Sequence, residues 1–316
     1  MIDTILCVPN IMLDIRNNSN DTALDLALLS GKKMNFDILL RKYLETTKIN
    51  ELNKQGLCYL SFAITACSLD FITHMIKDLN FDPNDKGNFE DDNRNYPLHQ
   101  AIISKRIDVL RYLLSLPNIN ANIKDEQKNG DSALFVACKI PSLQSTIFLI
   151  ESQKVDLNLT NKSGDNCLTD MIPVMKARNK VMQGNMREYL QIIFYIMTKK
   201  AFNLNFQGKN GDTLLHLLCD NSDILVRLLP YSERIDPNIK NDSGRTAIDC
   251  ILDDYSDKYL NVVLIMKLGF CNINDKLIHS EVIFFILKHL PTFEVFKKFV
   301  DGGLDLNVTS KEGILF

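Results

Sequence analysis

The sequence predicts an all-α fold, a solenoid of helix-turn-helix units whose β-turn loops project to one side. Three observations predict it. A marker position at the start of a helix recurs at Thr22, Cys58, Tyr96, Ser132, Asn166, Thr213 and Thr246, at intervals of 36, 38, 36, 34, 47 and 33 residues, and a fixed period of this size signals a stacked array. Apolar residues after the markers fall at helical spacing, as at Phe36, Leu39, Leu40 and Tyr43. Turns such as Asn129-Gly130 stand before several markers, and both residue types tolerate positive φ. A helix pair of this length cannot bury its apolar face alone; stacking on neighbours makes one continuous core.

Taken in order, Ile5 to Asp14 aligns with Leu113 to Asn122 and reads as a second helix and outward loop with no first helix before it. Repeat one turns at Asn20-Asp21-Thr22, and Gly31 separates its helices by taking positive φ. Repeat two keeps Leu60, Ala63 and Ile64. Repeat three runs from Arg94 to Asp125. In repeat four, Pro141 marks the break between helices. Repeat five spans about 164–208 and carries about fourteen residues beyond the period; the excess, roughly Met175 to Met186, is rich in Lys and Met and is expected to lengthen the helices or the loop between them. Repeats six and seven start at Asn210-Gly211-Asp212-Thr213 and Ser243-Gly244-Arg245-Thr246. Beyond them, Val282 to Val300 reads as two apolar helices around Pro291, and degenerate units stand near Lys276 and at Gly313. The expectation is one domain, 1–316, of about eight units, with both ends cut within repeats: either a fragment of a longer protein or a stack with short caps.

The stretch Arg94 to Asp125 contains Tyr96-Pro97-Leu98-His99-Gln100-Ala101, a break at Lys105, the pair Leu113-Leu114 and the loop Asn120-Ala-Asn122-Ile-Lys-Asp125. It resembles an ankyrin repeat, with Tyr96 in place of the usual Thr and Lys105 in place of the usual Gly. The resemblance extends over nearly the whole chain, most specifically in repeats three, four, six and seven. It implies that His99 and His216 cap first helices and tie neighbouring turns together. It also implies a recognition scaffold that binds another protein through its concave surface, and not an enzyme.

Composition narrows the alternatives. At 46% hydrophobic and 24% charged residues the chain reads as folded. A net charge of −3, with Lys and Arg scattered, gives no drive towards nucleic acid or an anionic membrane. The longest apolar runs, such as Val282 to Leu287, are too short to span a bilayer, and the N-terminus lacks the pattern of a signal peptide. None of the eight cysteines lies in a C-x-x-C pair; Cys138 and Cys219 fall where the first helix needs a small core residue. These features predict a cytoplasmic protein with no cofactor, no metal and no small-molecule substrate.

The loop Asp82 to Gly87 departs from a calcium loop at Lys86 and Asn93, and the acidic run Glu90-Asp91-Asp92 reads as a solvated loop tip. Gly208 to Thr213 lacks the P-loop order. No H-E-x-x-H or G-x-S-x-G motif is present.

In the repeat pattern, the two residues after the second small position of each first helix face the concave side. These are Leu29-Ser30, Thr65-Ala66, Ile103-Ser104, Lys139-Ile140, Pro173-Val174, Asp220-Asn221 and Asp253-Asp254. The expectation is a groove apolar in its first half and acidic in its second, suited to a partner with apolar anchors at one end and basic residues at the other. Lys128, Lys162 and Lys209 at the outward tips are further candidate contacts. The alternative function is the recruiting part of a larger effector, channel or signalling enzyme.

Overall fold

The computed structural model describes residues 21–46, 59–86, 95–179 and 186–252, with a few residues before Asp21 and after Leu252. Among them every regular element is helical, and the only bridge is the isolated antiparallel pair Asp125–Asp131. The helices come in pairs: α1 (Ala23–Leu29) and α2 (Lys33–Thr46), α3 (Tyr59–Ala66) and α4 (Leu69–Lys77), α5 (Pro97–Ile103) and α6 (Ile107–Ser115), α7 (Ala133–Lys139) and α8 (Leu143–Glu151), α9 (Cys167–Asn179) and α10 (Met186–Met197), α11 (Leu214–Leu218) and α12 (Ser222–Leu228), then α13 (Ala247–Leu252).

The contacts divide the chain into two compact parts. One holds the described residues up to Lys162 with 186–192; the other holds 163–179 and those from Ile193 onward. In the first part α1, α3, α5 and α7 pack in succession, as do α4, α6 and α8. In the second, α9, α11 and α13 pack in succession. Between the layers lie Leu28, Leu40, Ile64, Ile72, Ile102, Leu110, Leu113 and Leu149 in the first part, and Leu168, Ile172, Ile196, Leu218 and Leu225 in the second, all nearly or fully buried.

Each described marker residue begins a helix. Thr22 and Asp25 form a reciprocal capping box, with Asp25 N–H donating to Thr22 Oγ1 and Thr22 N–H to Asp25. Thr246 and Asp249 repeat this arrangement. Asn166 accepts from Leu168 and Thr169 amides, which satisfies donors that the first helical turn leaves free. Cys58 lies outside the described residues.

The helix breaks also follow the sequence. Gly31 takes φ +63°, and Lys105, its counterpart in repeat three, takes φ +55° despite its Cβ. Pro141 falls between α7 and α8. The extra residues of repeat five lengthen its helices: α9 and α10 have 13 and 12 residues, against 7 and 9 for α7 and α8. Met175 is buried there. The terminal stretches Ile5–Val8 and Ile314–Phe316, the two helices expected around Pro291 and the run Glu90–Asp92 lie outside the described residues.

Polar rungs join neighbouring repeats in the outward loops. Asn84 donates to Asn118 O and accepts from Asn120 N–H; Asn122 does the same with Lys154 O and Asp156 N–H; Asn205 does so with Arg234 O and Asp236 N–H. Each of these asparagines is fixed by its own backbone N–H, which donates to the Asp or Asn side chain two residues earlier. Arginines cover helix C-termini, where carbonyls lack intrahelical partners. Arg106 donates to Ile64 O and Cys67 O while Asp108 grips its guanidinium from below. Arg234 donates to the carbonyls of Met197, Lys199 and Phe202.

Candidate protein-binding face

The first helices present a regular outer row. Counting from the marker residue, positions two, five and six are buried in repeats one to four: Leu24, Ala27 and Leu28; Leu60, Ala63 and Ile64; Leu98, Ala101 and Ile102; Leu134, Ala137 and Cys138. At about 100° per residue, positions four and seven lie about 60° apart on the opposite face. They carry Leu26 and Leu29, Phe62 and Thr65, Gln100 and Ile103, Val136 and Lys139. Leu26 and Leu29 are each 46% exposed, Phe62 44% and Ile103 38%. Leu29, Thr65 and Ile103, taken from the sequence, are therefore exposed on this row. Leu26 and Phe62 join the row beyond the residues expected from the sequence; their three-residue spacing from Leu29 and Thr65 is the signal that marks them as the same face.

The polar members of the row are already engaged. Gln100 Nε2 donates to Thr65 Oγ1 (3.0 Å) and to Ser104 Oγ (2.8 Å), joining α3 to α5 along the surface. Ser104 and Ile140 are half-buried behind the exposed row. Lys139 turns its ammonium to Asp131, 2.7 Å away, and its carbonyl accepts from Tyr189 Oη at 3.1 Å.

In the second part, Pro173 is exposed and Val174 half-buried. Asp220 is exposed, but both its oxygens accept from Lys176 Nζ at 2.9 Å. Asn221 uses its side chain to cap α12 by accepting from Ile224 N–H. Asp253 and Asp254 lie outside the described residues.

The lysine-bearing tips interlock. Lys128 Nζ donates to Asn95 Oδ1 at 2.5 Å, and Lys162 Nζ meets Glu126 Oε2 at 2.9 Å. Lys209 is exposed, and its amide donates to Asp165 Oδ1. Asn129-Gly130 and Asn210-Gly211 both adopt positive φ at each residue. The carbonyls of Asn129 and Asn210 accept from the next tip, at Lys162 N–H and Asp242 N–H. Lys86, at the position that breaks the calcium pattern, reaches Asp125 Oδ1 at 2.7 Å and Gln127 Oε1 at 2.5 Å.

The two histidines differ. His216 Nδ1 accepts from Thr213 N–H, and Nε2 donates to Arg245 O at 2.9 Å, tying the turn of repeat six to that of repeat seven. His99 follows Tyr96, whose side chain makes no capping bond. Its ring packs edge-on to Tyr96, with centroids 5.5 Å apart, and burial drives its pKa down to about 4. No helix among the described residues is long and apolar enough to cross a membrane. Nor do the described residues bring together three His, Cys, Asp or Glu able to hold a metal ion.

Residues 93–123 match the family model described as ankyrin repeat. A protein of Acanthamoeba polyphaga mimivirus named as an ankyrin repeat protein is 22% identical over 83% of this chain and 35% of its own length. An ankyrin repeat-containing protein of Schizosaccharomyces pombe is 30% identical over 32% of this chain and 42% of its own length. A Dictyostelium discoideum protein named as a serine/threonine-protein kinase is 29% identical over 44% of this chain and 15% of its own length. The chain thus spans less than half the length of each of these relatives.

Proposed function

We propose that this chain, an ankyrin-repeat protein by its matched repeat and its stacked helix pairs, binds another protein on the exposed row of its first helices. One observation carries the reading: Leu26, Leu29, Phe62 and Ile103 stay exposed on successive first helices of the first part, while the apolar residues at positions two, five and six of the same helices are buried. A recurring apolar row is a candidate docking surface in a way that scattered surface leucines are not. Thr65, Ser104 and Ile140 frame it, and Lys139 is available to a partner only by leaving Asp131. In the second part Val174, Asp220 and Asn221 occupy equivalent positions, and Asp253 and Asp254 continue them in sequence. The tip lysines Lys128, Lys162 and Lys209 form a second candidate surface.

The proposed role is recognition without catalysis, in the cytoplasm, with no nucleic acid, membrane or small-molecule substrate as partner. A second reading, recruitment on behalf of a larger protein, is favoured by the relatives: this chain matches 15% of the Dictyostelium protein named as a kinase. Affinity capture with the full chain tests the proposal. A protein retained by the parent and lost by both Phe62→Asp and Ile103→Asp, with fold intact, supports the row. Retention by both variants rejects it and turns attention to the tips.

A further inference from the structure

The charge beside the exposed row is one-sided. Lys32 stands three residues after Leu29, Lys105 two after Ile103, and Lys33 opens α2; all three are exposed. Among the described residues none of the three makes an ion pair. The other cations bordering these helices are committed, Arg106 to Asp108 and Lys139 to Asp131. At the opposite end of the helices the tips are paired internally, Lys86 with Asp125 and Lys162 with Glu126. The first turns of α4 and α6 each hold an acidic residue, Asp70 and Asp108, which suits the positive end of a helix. The first turn of α2 holds none and starts on Lys33. A lysine there works against its own helix, and its charge is left to the edge of the row.

We propose that the segment received by the row is acidic: a stretch of protein chain that lays apolar side chains on the row and turns carboxylates to Lys32, Lys33 and Lys105. This rests on the reading of the row as the docking face. Asp220, which suggested a basic partner, already holds Lys176. The first helices pack in succession, and packed helices lie about 8–10 Å apart. The apolar side chains of the segment must recur at that step. A helix rising about 1.5 Å per residue meets it with every sixth or seventh residue, and an extended polyproline-II chain rising about 3.1 Å with every third. A run of phosphates offers no such side chains, so the row and its edge together select a protein and not a nucleic acid. The lysines lie at the edge of the apolar contact, where charge sets orientation and association rate.

A display library of random peptides, selected on the full chain, tests this. Peptides enriched on the parent but not on Phe62→Ser or Ile103→Ser, which remove apolar contact without adding charge, occupy the row. Those peptides should carry an excess of Asp and Glu. A variant combining Lys32→Gln, Lys33→Gln and Lys105→Gly should bind them several-fold more weakly, and the difference should shrink at high salt. Glycine suits the positive φ of Lys105, and the other two positions are exposed, so the fold is kept. Row-binding peptides without an acidic excess, or unchanged binding by the triple variant, overturn the acidic partner and leave the row standing. The composition of the peptides decides even without the lysine variant. Equal enrichment on the parent and on both serine variants, or no enrichment at all, overturns the row and the proposal with it. Sedimentation of the parent with vesicles of phosphatidylserine and phosphatidylcholine, lost in the triple variant, would assign the lysine edge to a membrane surface and overturn the proposal as well.

Discussion

Replacing Asn122 by alanine removes a rung between repeats three and four. Two bonds go: Asn122 Nδ2 to Lys154 O at 2.9 Å, and Asp156 N–H to Asn122 Oδ1 at 2.8 Å. A neutral hydrogen bond contributes about 0.5–1.5 kcal/mol net, so the pair amounts to roughly 1–3 kcal/mol. Asp156 is exposed, and water replaces its lost partner; Lys154 is half-buried and is less well served. The expected cost is therefore in the lower half of that range, about 1–2 kcal/mol. For a chain of this size that lowers the melting temperature by roughly 2–4 °C per kcal/mol. Asn122→Asp is the more demanding variant. It keeps the acceptor for Asp156 N–H but turns an oxygen towards Lys154 O, and it should cost at least as much as alanine at neutral pH. Urea unfolding followed by circular dichroism gives the global effect, and exchange of the Asp156 amide gives the local one. Asn122→Ala with unchanged stability and an unchanged Asp156 amide would refute the assignment of these bonds as ties between repeats.

Three further outcomes follow from local geometry. His216→Ala should destabilise by about 1–3 kcal/mol, because it strips a capping partner from Thr213 and a donor from Arg245 O; an unaltered melting curve would contradict this. Gly208→Ala should destabilise by about 1–3 kcal/mol although its φ of −85° suits any residue, since a Cβ there lies 2.2 Å from Asp165 Oδ1 and 2.8 Å from Thr169 Oγ1; thermal melting checks it. For His99, the folded pKa of about 4 lies below the ordinary 6.5. Between those values the unfolded chain binds the proton and the folded chain does not, so stability is present above about pH 6.5 and is lost as pH falls towards 4, by at most about 3 kcal/mol. A His99→Gln protein that keeps the same acid slope would show that other groups cause it.

Much of the helical layout was legible because it depends on residues close in sequence. Thr22 with Asp25, and Thr246 with Asp249, announce their capping boxes three residues apart, and Asn129-Gly130 announces its positive φ values. His216 was legible for the same reason, since Thr213 stands beside it. His99 was not, because Tyr96 brings a ring where a capping hydroxyl was needed. The surface was harder to read. Asp220 looks like free negative charge until Lys176, 44 residues earlier, is seen on it. Lys139 looks like free positive charge until Asp131 is placed beside it. The asparagine rungs are not legible in the sequence because a polar loop residue looks the same whether it faces water or the next loop; only the stacking of repeats brings up the partner, 29 to 36 residues away in sequence.

Those rungs have a mechanical consequence. Each joins a repeat to the one that follows it, within the same compact part, so a pull along the chain loads them one after another and not side by side. Resistance is then set by the weakest link and not by the sum. A single-molecule stretching trace of such a part should consist of a series of small rips, each releasing one helix pair of contour length. A single large rupture would mean that the repeats share load through contacts longer than nearest-neighbour range.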